Sequence, residues 1–73
     1  MTRIYHIQKK AADLKLGDLF VDWAFPKEDP PIYSEANRIL NIKEKNDHLI
    51  IVLDDGRKFN MHPGHLAVVE VMA

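Results

Sequence analysis

The chain reads as a mainly β domain, a small barrel or a strongly bent antiparallel meander of five to six strands with a short N-terminal helical turn. Two observations carry this reading. Between Arg38 and Ala73, three turn signals (Lys45-Asn46-Asp47, Asp54-Asp55-Gly56 and His62-Pro63-Gly64) separate four short runs rich in Ile, Val, Leu and Phe. Asp-Gly between apolar runs marks a hairpin, because glycine accepts the positive φ that a tight β-turn needs. Elsewhere apolar and polar residues alternate with a period of two, as on a strand with one buried face.

The elements follow in order. Arg3–Gln8 suits an edge strand, with Ile4, His6 and Gln8 on one side and Tyr5 and Ile7 on the other. Lys9–Leu16 is rich in Ala, Lys and Leu and suits one or two helical turns, which Gly17 would stop. In Leu19–Phe25 the set Leu19, Val21, Trp23 and Phe25 alternates with Phe20, Asp22 and Ala24, which predicts one continuous strand. Pro26-Lys27-Glu28-Asp29-Pro30-Pro31 contains three prolines and cannot continue a ladder, since proline lacks the backbone donor. It is the one long loop, and long loops in small domains are often functional.

Extended structure resumes over Ile32–Lys43, with an irregularity or a helical turn at Ser34–Asn37 and with Leu40 and Ile42 sharing a face. His48–Leu53 is apolar on both sides, as expected of a bent central strand shared between two packed sheets. Arg57–Met61 alternates with Phe59 and Met61 inward and Lys58 and Asn60 outward. Leu66–Met72 is the last strand. The expectation is a single domain over residues 1–73, in which segment 1–16 packs on a β core of 17–73.

Seventy-three residues exclude a large interior site. A domain of this size buries only about 60% of the surface its unfolded chain exposes, so any site belongs on the surface or in a shallow groove. The chain has no cysteine, which removes disulfides, thiolate metal sites and cysteine nucleophiles. It has no apolar run of about 18 residues to span a bilayer. Met1-Thr2-Arg3-Ile4-Tyr5-His6 lacks the layout of a signal peptide, and the expectation is a cytoplasmic protein without a membrane partner. Ten Lys and Arg against eleven Asp and Glu give a net charge of −1, with the signs mixed along the chain. That balance does not favour a nucleic-acid binder, which usually carries basic excess on one face.

Candidate chemistry is sparse. His62-Pro63-Gly64-His65 holds two histidines, but a metal site needs three or four ligands and no spacing supplies them. The motif reads as a turn with Pro63 setting φ and Gly64 in the left-handed position. Asp54-Asp55-Gly56-Arg57 lacks the oxygen ligands of a calcium loop. Ser34 is the only serine, and nothing near it resembles a nucleophile elbow. No cofactor is expected, and an enzyme is not. Trp23, Phe25, Tyr33 and Phe20 cluster around the proline-rich loop, where aromatics can form a peptide groove, a cation cage or a base-stacking platform. For Trp23 and Phe25 the alternation with Asp22 favours a core role, whereas for Phe20 and Tyr33 core and surface stand even.

Leu14-Lys15-Leu16-Gly17-Asp18-Leu19-Phe20-Val21 resembles the first-strand approach of SH3-like small barrels of the KOW and Tudor type. The run from Arg38-Ile39-Leu40 through Leu49–Asp54, Asp55-Gly56-Arg57 is similar to the strand, hairpin, turn and strand of the same class. The likeness covers Leu14–Val71 and rests on generic strand and turn punctuation. It departs from a KOW motif in having Pro26–Pro31 where that motif has closely spaced glycines. The resemblance implies binding through the loops at one end, here the loop end around residues 25–33 and 54–57. The expected function is a protein–protein interaction module, regulator or inhibitor, with Phe20, Phe25, Tyr33, Asp55 and Arg57 as binding residues and another protein as partner. The alternative is nucleic-acid binding through Arg38, Lys43, Lys45, Arg57 and Lys58. A homodimer, by edge pairing or an aromatic patch, is a further expectation.

Overall fold

The computed structural model describes residues 3–72. Its strands are β1 (Ile4–Lys10), β2 (Leu19–Val21), β3 (Ala24–Phe25), β4 (Ile32–Tyr33), β5 (Ala36–Lys45), β6 (His48–Leu53), β7 (Lys58–Met61) and β8 (Leu66–Met72). They hold 59% of the described residues. The expected N-terminal turn shrinks to a 3-10 turn at Ala11–Asp13, which docks on the β7–β8 connection through Ala11 N donating to His65 O at 2.8 Å and Ala12 N to Pro63 O at 3.0 Å. Among the described residues no helix is long and apolar enough to cross a membrane.

Six strands form one antiparallel sheet in the order β1-β8-β2-β5-β6-β7, and β3 and β4 form a separate two-stranded ribbon. The barrel expectation is corrected here, because β1 and β7 lie at opposite ends of the order and do not pair. The strand count is likewise eight rather than five or six. The sheet nevertheless folds over itself. Phe20 on β2 and Phe59 on β7 lie 5.2 Å apart between ring centroids, although β5 and β6 separate their strands in the ladder.

The fold-over is made on β5, not on His48–Leu53 as the apolar run implies. Ala36–Arg38 pairs with β2, whereas Ile39–Lys45 pairs with β6, and the register shifts between Ile39 and Asn41. A bulge of this kind bends a strand and increases its twist. It also changes the parity of the strand. Ile39 is buried and Ile42 packs against the core, while Leu40 is 56% exposed, so Leu40 and Ile42 do not share a face. On β6 only Ile51 and Leu53 are buried, and Ile50 and Val52 face outward at intermediate exposure.

The core comprises Ala11, Leu14, Phe20, Ile39, Ile51, Leu53, Met61, Ala67 and Val69. Two of the turns behave as their chemistry dictates. Asn46 and Asp47 both take positive φ (51° and 63°), which gives the two-residue β5–β6 hairpin the twist its strands require. Gly56, at φ 90°, closes the β6–β7 loop with its N–H donating to Leu53 O at 3.0 Å. The third differs from expectation. Gly64 does not occupy the left-handed region; its N–H instead donates to His62 Nδ1 at 3.0 Å, and His65 N–H to His62 O at 2.9 Å.

The predicted strand Leu19–Phe25 is broken after Val21. Asp22 and Trp23 turn the chain out of the sheet and into the β3–β4 ribbon. The Ser34 hydroxyl holds this departure by accepting from Asp22 N–H at 2.9 Å and Trp23 N–H at 3.2 Å, and Ser34 N–H donates back to Trp23 O at 2.9 Å. The ribbon then lies on the outer face of the sheet. Its register pairs Ala24 with Tyr33 and Phe25 with Ile32, so the pleat sends the first pair inward and the second outward.

Tyr33 stacks on His6 of β1 with centroids 3.5 Å apart and planes 11° from parallel. A pocket of about 220 Å³ remains between ribbon and sheet, lined in part by His6, Gln8, Pro26 and Val68. Tyr33→Ala is expected to cost about 0.5–1.5 kcal/mol beyond lost burial, the usual worth of an aromatic pair. Amide exchange should then accelerate across residues 23–34 and stay slow in β5 and β6. Uniform acceleration would show that the stack is not a local tether.

Candidate functional site

The break at Asp22 decides which aromatics reach the surface. Phe20, one of the expected binding residues, is 5% exposed and belongs to the core with Leu14 and Phe59, so it offers no docking surface. Trp23 and Phe25, assigned inward by their alternation with Asp22, are 49% and 55% exposed. Their rings touch at 5.5 Å between centroids. Ile32, directly opposite Phe25 and 48% exposed, completes an apolar strip along the outer face of the ribbon. The one signal of Ile32 in the sequence is its place on a strand that returns after a proline-rich loop. Tyr33 faces the other way, as the ribbon's anchor.

Beside the ribbon base runs an open groove of about 440 Å³, lined by Asp22, Trp23, Ser34, Glu35, Asn37, Asp55 and Arg57. Arg57 organises it. Its Nε donates to Asp55 Oδ2 at 2.6 Å, Nη1 to Asp22 Oδ2 at 3.0 Å and Nη2 to Asn37 Oδ1 at 3.0 Å. Asn37 Nδ2 in turn donates to Asp54 Oδ1 at 3.0 Å. The guanidinium carbon sits 5.6 Å from the Phe59 ring centroid, so the network caps the end of the core where Phe59 meets Phe20. With its three nitrogens already engaged, Arg57 shapes the groove. The carboxylates of Asp22, Asp54, Asp55 and Glu35 outnumber it, and Glu35 has no ion-pair partner among the described residues.

Asp55 accepts from the Arg57 backbone N–H at 3.0 Å, and this bond first, then the guanidinium, holds its carboxyl below the ordinary value of 3.8. Asp55 in return raises Arg57 above its ordinary value, chiefly through the side-chain hydrogen bond. A carboxyl depressed in the folded state contributes stability above the unfolded-state value, and loses it as pH falls through the folded-state value. Carboxyl-carbon NMR titration should therefore place the Asp55 midpoint below 3.8. Arg57→Gln should return it only part of the way, because the backbone donor remains. No movement would mean that the guanidinium contributes nothing.

The basic residues of the alternative reading separate in space. Arg57 is held in the groove, whereas Lys43 and Lys45 on β5 and Lys58 on β7 lie on the outward face of the other half of the sheet. Arg38 is exposed on β5 ahead of the bulge, paired with Leu19 of β2. His48 and His62 meet edge to face at 6.3 Å, and no cluster of three or more His, Asp or Glu suited to a metal ion occurs among the described residues. Ser34 Oγ is occupied by the two backbone donors at the ribbon base. In comparison with known proteins, no family model, curated protein or solved structure matches the chain.

Proposed function

We propose that this chain is a protein-binding module that seats its partner on the β3–β4 ribbon and in the groove at the ribbon base. The observation that supports the reading is the strip of Trp23, Phe25 and Ile32, three large apolar side chains about half exposed on one side of a ribbon whose other side is anchored. Contiguous exposed apolar surface rimmed by polar groups marks interaction sites, and aromatic anchors carry most of the energy in such interfaces. The groove adds the chemistry of the partner. Four carboxylates around one committed arginine favour a segment that presents Lys or Arg next to an apolar side chain.

Selection from a random peptide library tests this directly. Trp23 is the only tryptophan, so its fluorescence reports occupancy of the strip. The expected selected peptides carry a basic residue beside an apolar one, quench or shift Trp23 emission, and lose affinity for the Trp23→Ala protein. Peptides rich in acidic residues, or peptides bound equally by the Trp23→Ala variant, would refute the assignment.

A further inference from the structure

The charges of this chain, mixed in sequence, are sorted by the fold. Four of the eleven carboxylates border the groove, whereas the strand positions on the outward face of β5, β6 and β7 carry none. Cross-strand register there aligns Asn41 with Val52 and Lys58, then Lys43 with Ile50 and Asn60, then Lys45 with His48. Glu44, the one acid within these three strands, falls between Lys43 and Lys45, and the pleat turns it to the opposite face. The three lysines are exposed and appear in no ion pair among the described residues. Lys43 and Lys45 stand about 6.8 Å apart along the strand, and Lys58 about 9.6 Å across two strand spacings from the β5 column.

We infer that this lysine face binds the phosphate backbone of double-stranded nucleic acid. Three ammonium groups without an ion pair, on strand positions that carry no carboxylate and with Asp47 in the hairpin turn at their end, can make phosphate contacts, and Asn41 and Asn60 add neutral donors to the same rows. No Phe, Tyr or Trp lies on the face, and its imidazole, His48, already meets His62 edge to face at 6.3 Å, so it lacks a row of free stacking platforms of the kind by which proteins hold single strands. The contact is with backbone and takes any sequence. It shares no residue with the ribbon site, so a partner protein and a duplex can be held together.

The test is fluorescence anisotropy with a labelled mixed-sequence duplex across a salt series. Three phosphate contacts give a slope of log affinity against log salt of about −2.7, which is about a 40-fold loss between about 50 and 200 mM salt. Lys43→Gln, Lys45→Gln, Lys58→Gln together should abolish binding and flatten the slope. A control with the same charge change elsewhere, Lys10→Gln, Lys15→Gln, Lys27→Gln, should retain both, with circular dichroism confirming that each variant is folded. Absence of wild-type binding at low salt would overturn the inference. So would equal losses in the two variants, and so would displacement by polyglutamate as effective as by unlabelled duplex, which would make the face a docking site for acidic protein.

Discussion

Phe20→Ala is expected to unfold a large fraction of the protein rather than to impair binding selectively. The ring is 5% exposed and bridges the two halves of the sheet through Phe59. Truncating a buried phenylalanine costs about 3–5 kcal/mol in lost transfer energy and residual cavity. A domain of this length has only about 4–10 kcal/mol in total. Urea unfolding followed by circular dichroism should show the midpoint moving sharply toward zero denaturant. Phe20→Leu should recover much of the loss, because it refills most of the volume. An unchanged midpoint in Phe20→Ala would mean that β2 and β7 do not pack across a common core.

The second large effect is expected at Trp23, with the opposite signature. Trp23→Ala removes an indole that is 49% exposed and contacts Phe25 at the surface, so stability should stay within about 0.5 kcal/mol of the parent. Affinity for a selected basic-apolar peptide should fall about 30-fold or more, the equivalent of the roughly 2 kcal/mol that defines an interface hot spot. Isothermal titration against parent, Trp23→Ala and Phe25→Ser proteins measures it. Retained affinity in both variants would remove the ribbon from the interface. The two aromatics lie three residues apart in sequence, yet one supports the fold and the other is offered to a partner.

That contrast shows how far local sequence reasoning reaches. The positive φ values at Asn46, Asp47 and Gly56 are legible because the residues that adopt them also cause them. The inward set of β7, Phe59 and Met61, and the extent of β8 are legible for the same reason, since an uninterrupted strand keeps its parity. Two interruptions spoil the reading elsewhere. The bulge beside Leu40 leaves no mark in Arg38-Ile39-Leu40-Asn41-Ile42, which alternates plausibly in either phase. The exit from the sheet at Asp22 is held by Ser34, twelve positions away, so a window around Trp23 reads as unbroken strand.

The groove has the same origin. Asp55 and Arg57 stand out in a turn motif, but their partners Asp22 and Asn37 lie 35 and 20 residues from Arg57 and come together only when β5 doubles the sheet over. Turn geometry and strand preference are short-range consequences of backbone sterics and side-chain shape, and residue order suffices to read them. Which side of a strand becomes interior depends on where the ladder is bent and what then lies against it. That energy is collected between segments far apart in the chain, and so the core role of Phe20, the exposure of Trp23 and the sorting of charge emerge only in three dimensions.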